Sequence, residues 1–255
     1  MIDVIIPHMN NSIERELNLK YIIDFYHKNI KDSNIIVVEQ DTKTDLKEFN
    51  YIKHVQFTCN DSFNRSLCLN IGYVNSSSEY LLLIDNDIIL EKKFLNNIDN
   101  YTNNNVILIP YNKKLFRLNK QQTYKILNDK KINIENINKH KLSKVSILSV
   151  GGAMLINKNT YFNCGGLDIN YKGYGFEDFD FYYRCNKKYK INRYNGNFYH
   201  LFHISEAYKE ENKYTLELNK IYYLKIKKYN NEQLINHTNK LKKILLVIND
   251  IYKVK

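Results

Sequence analysis

Glu79-Tyr80-Leu81-Leu82-Leu83-Ile84-Asp85-Asn86-Asp87 decides the fold. Residues 80–84 form an unbroken apolar run. Without alternation, such a run reads as a strand buried on both faces, in a parallel sheet covered by helices. Two acids follow at once, at the carboxyl edge where open α/β sheets bind their ligands. Upstream, Asp3–Pro7 reads as another short buried strand, and Ser12 as the N-cap of a helix over 13–28. Residues 33–40 and 51–58 read as further strands, and 62–75 as a helix capped by Asp61 or Ser62. Strands alternating with helices predict an α/β fold with a mostly parallel, Rossmann-like central sheet.

Downstream the pattern changes. Residues 91–140 are rich in Asn and Lys and read as helix and loop decoration. Six of the eight glycines then crowd into 151–175: Gly151, Gly152, Gly165, Gly166, Gly173 and Gly175. Glycine serves where backbone turns sharply or approaches a ligand closely, so this stretch points to a site. Short strands are expected at 190–195 and 197–203, and two basic amphipathic helices beyond them. The organisation expected is one domain over 1–204 with a helical appendage over 205–255 packed on it. The Lys-rich face of that appendage is solvated or touches a membrane surface.

A chain of 255 residues buries a large core without disulfide or metal staples. Lys and Arg number 38 against 27 acids, a net charge of +11 that invites polyanions. Only Arg15, Arg65, Arg117, Arg184 and Arg193 of these are arginine, in a sequence crowded with Asn, Ile, Lys and Tyr as AT-rich coding produces. A nucleic-acid binder would favour arginine for bidentate contacts, so nucleic acid is set aside as a partner. Cys59, Cys68, Cys164 and Cys185 show no C-x-x-C pair and read as reduced thiols of a cytoplasmic protein. Residues 1–10 lack the features of a secretory signal, and 145–156 is too short and too broken to span a bilayer.

The carboxylates of Asp85 and Asp87 repel unless a cation or hydrogen-bond donors neutralise them, and hard oxygens suit Mn²⁺ or Mg²⁺. A polar turn after a buried strand is the structural alternative. From Tyr171 to Asp180, glycines and aromatics lead into acids that open a helix. The helix dipole favours acids there, but it does not explain the aromatic-glycine loop. That loop suits a sugar-stacking platform beside a general base. Glu177 and Asp178 project about 100° apart and can flank one ligand in different roles. His200 and His203 face opposite sides of a regular strand, so both reach one metal only if the chain turns between them.

These pieces fall in one order: Ile5-Ile6-Pro7, Val38-Glu39-Gln40, Phe63-Asn64-Arg65 with Leu69-Asn70-Ile71-Gly72, Asp85-Asn86-Asp87, Gly151-Gly152 and Gly173-x-Gly175-x-Glu177-Asp178. In that order, over residues 2–203, the chain resembles GT-A glycosyltransferases of the β-1,4-galactosyltransferase type and related chondroitin-polymerase-like enzymes. The resemblance implies a metal-dependent, inverting transfer of a hexose or N-acetylhexosamine from a UDP-sugar to a glycan or glycolipid hydroxyl, in polysaccharide biosynthesis. It implies a nucleotide site lined by Pro7, His8, Asn11, Phe63 and Arg65. Asp85, Asn86, Gly151, Gly152 and Ser149 would contact the nucleotide or the donor sugar. Asp87, His203 and the more variable His200 would hold Mn²⁺, with Mg²⁺ the alternative. Glu177 and Tyr174 would bind the acceptor, and Asp178 would be the base.

Three departures stand out from that pattern. His8-Met9-Asn10-Asn11 stands where animal members carry arginines, Tyr174 replaces a mobile tryptophan, and Phe176 replaces a second glycine. Ser149 stands where galactosyl-specific relatives carry a tyrosine that crowds the sugar C2 position, and so leaves room for an N-acetyl group. Two other readings remain open. A catalytically inactive glycan- or polyanion-binding module would need neither Asp87 nor Asp178. A sugar-nucleotide pyrophosphorylase would need a Gly-rich loop after the first strand, which Pro7-His8-Met9-Asn10-Asn11-Ser12 is not.

Overall fold

Along the chain, strands and helices run β1 (Ile2–His8), α1 (Ile13–Asn29), β2 (Ser33–Gln40), β3 (Ile52–Phe57), α2 (Arg65–Asn75), β4 (Tyr80–Ile84) and β5 (Ile88–Leu90). Then come α3 (Lys92–Leu95), α4 (Ile98–Thr102), β6 (Ile107–Ile109), β7 (Lys114–Arg117), α5 (Lys120–Asn128), β8 (Ser143–Ser146) and β9 (Ala153–Asn157). The last are α6 (Lys158–Asn163), α7 (Glu177–Asn186), β10 (Asn192–Arg193), β11 (Phe198–His200), α8 (Glu210–Lys227) and α9 (Asn231–Tyr252). The computed structural model describes residues 1–59, 62–102, 106–112, 114–129, 132, 134, 143–146, 149–204 and 210–254.

A seven-stranded sheet has the order β10-β6-β9-β4-β1-β2-β3. Its β1, β2, β3 and β4 are parallel, as the alternation of strands with helices predicts. All seven residues of β1 are buried, and so are Leu81–Ile84 of β4. On α1, Leu19, Ile22, Ile23 and Tyr26 repeat at helical spacing and are fully buried. Each such side chain stabilises the fold by ~1.5–3 kcal/mol. One strand departs from the parallel expectation: β9 runs antiparallel to both of its neighbours, β4 and β6. Burial pattern carries no direction, so this reversal is invisible in the sequence.

A second, four-stranded sheet has the order β5-β11-β7-β8. The reading of 91–140 as helix and loop is corrected, since β6 of the first sheet and β7 of the second lie there besides helices. The cap of α2 is also corrected. Asn64 accepts from the Leu67 N–H at 2.9 Å and starts the helix at Arg65, with Ser62 outside it. Asp61, the other expected cap, lies outside the described residues. The expected strand at 190–195 shortens to Asn192–Arg193, and that at 197–203 ends at His200.

The C-terminal helices pack on the sheet domain. Leu245 and Ile248 of α9 join the same core as the strands. At Gly165 and Gly166, a Cβ would meet Leu241 and Leu245 of α9 at 2.9 Å, so these glycines let the helix close on the loop before α7. On α8, Tyr214, Leu218, Ile221 and Leu224 stay exposed along one stripe. No helix among the described residues is long and apolar enough to cross a membrane. The four cysteines are free thiols, and all but Cys59 are buried.

Candidate active site

Because β9 runs against β4, its first residues lie at the carboxyl end of β4. Ile84 pairs with Ala153, and the Asp85 N–H donates to the Gly152 carbonyl at 3.0 Å. The reversal thus sets Gly151-Gly152 beside Asp85-Asn86-Asp87. Arg65 arrives from the first turn of α2. Its Nε donates to Asp85 Oδ1 at 2.6 Å, and its guanidinium lies 3.6 Å from Glu177 Oε1. The backbone before it is pinned, since Asn64 N–H donates to Gln40 Oε1 at 2.8 Å and Asn64 Nδ2 to the Ile169 carbonyl at 2.8 Å.

Asp178 completes the group. Its Oδ1 accepts from the Phe179 N–H at 2.7 Å, while Oδ2 lies against the α-carbon of Gly151, where any Cβ would overlap it. Burial pushes the carboxyls of Asp85, Glu177 and Asp178 up against the pull of the Arg65 guanidinium they share. Glu177 rises to about 7, through burial first and the Asp178 charge second. Three carboxylates near one guanidinium carry more negative charge than it offsets, which favours a proton on one of them.

Asp87 stands apart with the histidines. The condition set for His200 and His203 is met, because β11 ends at His200 and the chain leaves the strand there. Register pairs His200 with Ile88, next to Asp87, and the Leu201 N–H donates to the Asp87 carbonyl at 2.8 Å. His203 Nε2 lies 3.1 Å from Asp87 Oδ2, and His200 Nε2 lies 3.7 Å from Oδ1. One ligand atom from each of the three residues falls within 4.8 Å of the others. Both Nδ1 atoms meet backbone carbonyls, Leu201 at 2.7 Å and Ile204 at 2.8 Å. A carbonyl can only accept, so Nδ1 carries a hydrogen and Nε2 is the atom that faces Asp87, as an N–H donor when the ring is charged and as a lone pair open to a cation when it is neutral. Acceptors converging in this way suit a shared cation. Burial works against the charge of Asp87, yet His200, His203 and Arg15 hold its carboxyl well below the usual range. Burial pushes the His200 ring down against the pull of Asp87.

Other expected site residues take supporting places. His8 is fully buried, with Nε2 3.3 Å from Thr44 Oγ1 and Nδ1 2.5 Å from Asn86 Nδ2. It therefore props the buried Asn86, and burial lowers its ring to about 4. Pro7 sits inside the β1 ladder opposite Val38, Asn11 is exposed, and Phe63 packs half-buried on the core. Tyr174 is exposed at the tip of the aromatic-glycine loop. Gly152 has φ +81 and a Cβ there would strike the Phe198 ring, so the position requires glycine. Phe176 holds a left-handed φ of +73 that a glycine would adopt freely, kept there by packing on Phe179 and Tyr223.

Sequence reasoning missed three contributors. Arg15, on the first turn of α1, comes within 3.9 Å of Asp87 Oδ2 and supplies a cation beside the arginine-free loop after Pro7. Tyr111, just past β6, donates to the Gly151 carbonyl at 2.7 Å and lies 3.3 Å from Ser149 Oγ. Asn219 of α8 donates through Nδ2 to the carbonyls of Lys172, Tyr174 and Gly175 at 3.0–3.2 Å, clamping the loop that precedes Glu177.

The sheet thus carries arginine-bridged carboxylates and an Asp-His-His group together at its carboxyl edge. The family model described as glycosyltransferase like family 2 matches residues 3–197, and the chain belongs to that family. Among solved structures, the chain is similar to the catalytic domain of Drosophila β-1,4-galactosyltransferase 7 in complex with xylobiose. That similarity is 17% in identity, with a TM-score of 0.45 over 81% of this chain and 71% of that one. A mutant of the same Drosophila enzyme, in complex with manganese, UDP-Gal and xylobiose, is similar at 16% identity and a TM-score of 0.46, over 84% and 78%. No curated protein matches the chain.

Proposed function

We propose that this glycosyltransferase is metal-dependent and inverting, and moves a hexose or N-acetylhexosamine from a UDP-sugar to a glycan hydroxyl. The observation that carries the reading is the convergence of Asp87, His200 and His203 at the sheet edge that also holds Asp178. Their carboxylate and two imidazoles fit Mn²⁺ better than Mg²⁺, which prefers an all-oxygen shell. When bound, the cation would neutralise the charge that grows on the diphosphate as the sugar C1–O bond breaks.

The chain's own groups do the rest. Arg65 holds Asp85 toward the donor and keeps the acid cluster from repelling itself apart. Asp178 Oδ2, free of the hydrogen bond that occupies Oδ1, takes the proton from the acceptor hydroxyl. The hydroxyl oxygen attacks C1 from the face opposite the leaving diphosphate, which gives inversion. Tyr174 and Glu177 bracket the acceptor. The exposed apolar stripe of α8 among lysines supports peripheral contact with a membrane surface.

A screen of UDP-sugars tests the proposal. Manganese-dependent UDP release from at least one of them, abolished by a chelator and restored by Mn²⁺, is expected. Release that ignores chelation would remove the metal from the reading.

A further inference from the structure

Asp178 and Asp180 project about 200° apart on a helix, so α7 carries its third carboxylate away from the sheet edge. Asp180 and Asp168 are both fully buried. Arg184, one turn on, donates to Asp180 Oδ2 through Nε at 2.9 Å, and its Nη2 lies 2.8 Å from the same oxygen. Its remaining donors reach the carbonyls of Cys164 and Gly166. Asp168 Oδ1 accepts from the N–H and side chain of Asn170 at 2.9 and 2.8 Å, and Oδ2 from the Tyr222 hydroxyl at 2.8 Å. His237 of α9 brings Nε2 to 3.4 Å from Asp168 Oδ2. One ligand atom each of Asp168, Asp180 and His237 falls within 4.8 Å of the others.

Charge and hydrogen bonding both leave this cluster unbalanced. Two buried carboxylates face one guanidinium, and an uncompensated buried charge is costly. Asp180 Oδ1 and His237 Nε2 are buried with no hydrogen-bond partner among the described residues. So is the hydroxyl of Tyr171, a residue 3% exposed whose ring lies 5.1 Å from that of Tyr222. The charges of Asp180 and Asp168 both act on that hydroxyl. A proton on His237 would offset the charge of both carboxylates but still leave Asp180 Oδ1 and the Tyr171 hydroxyl without a hydrogen-bond partner among the described residues.

We infer that Asp168, Asp180 and His237 form a second cation site, separate from Asp87, for a divalent transition metal of the zinc class. Two carboxylate oxygens and one imidazole nitrogen are ligands zinc accepts, and the cation gives the orphaned Asp180 Oδ1 and His237 Nε2 the partner they lack. The ligands come from the loop before α7, from α7 itself and from α9, while Tyr222 of α8 anchors Asp168. The cation therefore ties both C-terminal helices to the segment bearing Glu177 and Asp178, a structural role.

Zn²⁺ alone is the probe. Crystals of the unsubstituted full chain grown with Zn²⁺, measured at the zinc absorption edge, should show an anomalous peak bonded to all three side chains. In calorimetry on chelator-stripped protein, an Asp87→Asn chain should bind one equivalent of Zn²⁺. Adding His237→Gln should weaken that binding by at least ~10–100-fold and abolish the zinc-dependent rise in melting temperature. A water or no anomalous peak at the cluster, or identical titrations with and without His237→Gln, would overturn the site. Should His237→Gln fail to fold, the anomalous map of the unsubstituted chain decides by itself. Neither measurement involves a donor sugar, so failure of this site leaves the proposed transfer reaction untouched.

Discussion

The carboxylate of Asp178 rests on the α-carbon of Gly151, so close that a methyl group there would overlap Oδ2. The segment leading into β9 and the start of α7 thus meet at the Asp178 carboxylate, the proposed proton acceptor. Gly151→Ala should push the carboxylate aside while the buried sheet keeps its fold. A displacement of that size costs roughly 100-fold in turnover. Steady-state kinetics beside a melting curve check this: kcat should fall with little change in Tm, and an unchanged kcat would place the base elsewhere.

Asp178→Asn keeps shape and most hydrogen bonding but cannot take a proton. Turnover should fall by ~10²–10⁴-fold while UDP affinity survives. Near-normal turnover would move the role to Glu177, because Asp180 is buried and paired with Arg184 at 2.8 Å.

Glu177 offers a pH test. Its carboxyl rises from 4.5 to about 7 on folding, so between those values the folded chain binds more protons than the unfolded one. The stability it contributes is complete below pH 4.5 and is lost as pH climbs through 7. Glu177→Gln should flatten that decline and melt above the parent at pH 8, at ~2–4 °C per kcal/mol gained. Parallel melting curves for the two proteins across this range would contradict the shift.

Much of the site could be read from the chain. An unbroken Tyr80–Ile84 run predicts a central strand, and a central strand predicts that Asp85 and Asp87 stand at the ligand edge. Glycine crowding likewise marks Gly151 and Gly175, each beside a contact that leaves no room for a Cβ. Strand direction is another matter: hydrophobicity is the same read either way, so nothing in Ala153–Asn157 announces its reversal. Arg65 could be placed at a nucleotide from the motif, but its bridging of Asp85 and Glu177 depends on how far α7 returns toward α2. Arg15, Tyr111 and His237 carry no local signal at all, since each acts on residues brought close only by the folded sheet.

Ser149 tests donor choice. Its hydroxyl lies 3.3 Å from that of Tyr111, which also donates to the Gly151 carbonyl. The parent should accept a UDP-N-acetylhexosamine at least as well as UDP-galactose. Ser149→Tyr should depress transfer of the N-acetylated sugar selectively, by roughly 10–200-fold if the fit is close. Equal ratios of UDP-GalNAc to UDP-Gal turnover in parent and variant would remove Ser149 as the selector.

Asp87 carries the heaviest claim, as the carboxylate that two imidazoles and Arg15 address together. Calorimetric titration of UDP in the presence of Mn²⁺, on the parent and on Asp87→Ala, tests it most directly. The parent should bind UDP tightly only with Mn²⁺, and Asp87→Ala should lose that manganese-dependent binding while melting as a folded protein. An unchanged affinity for UDP with Mn²⁺ in Asp87→Ala would contradict a metal-held nucleotide at this edge of the sheet.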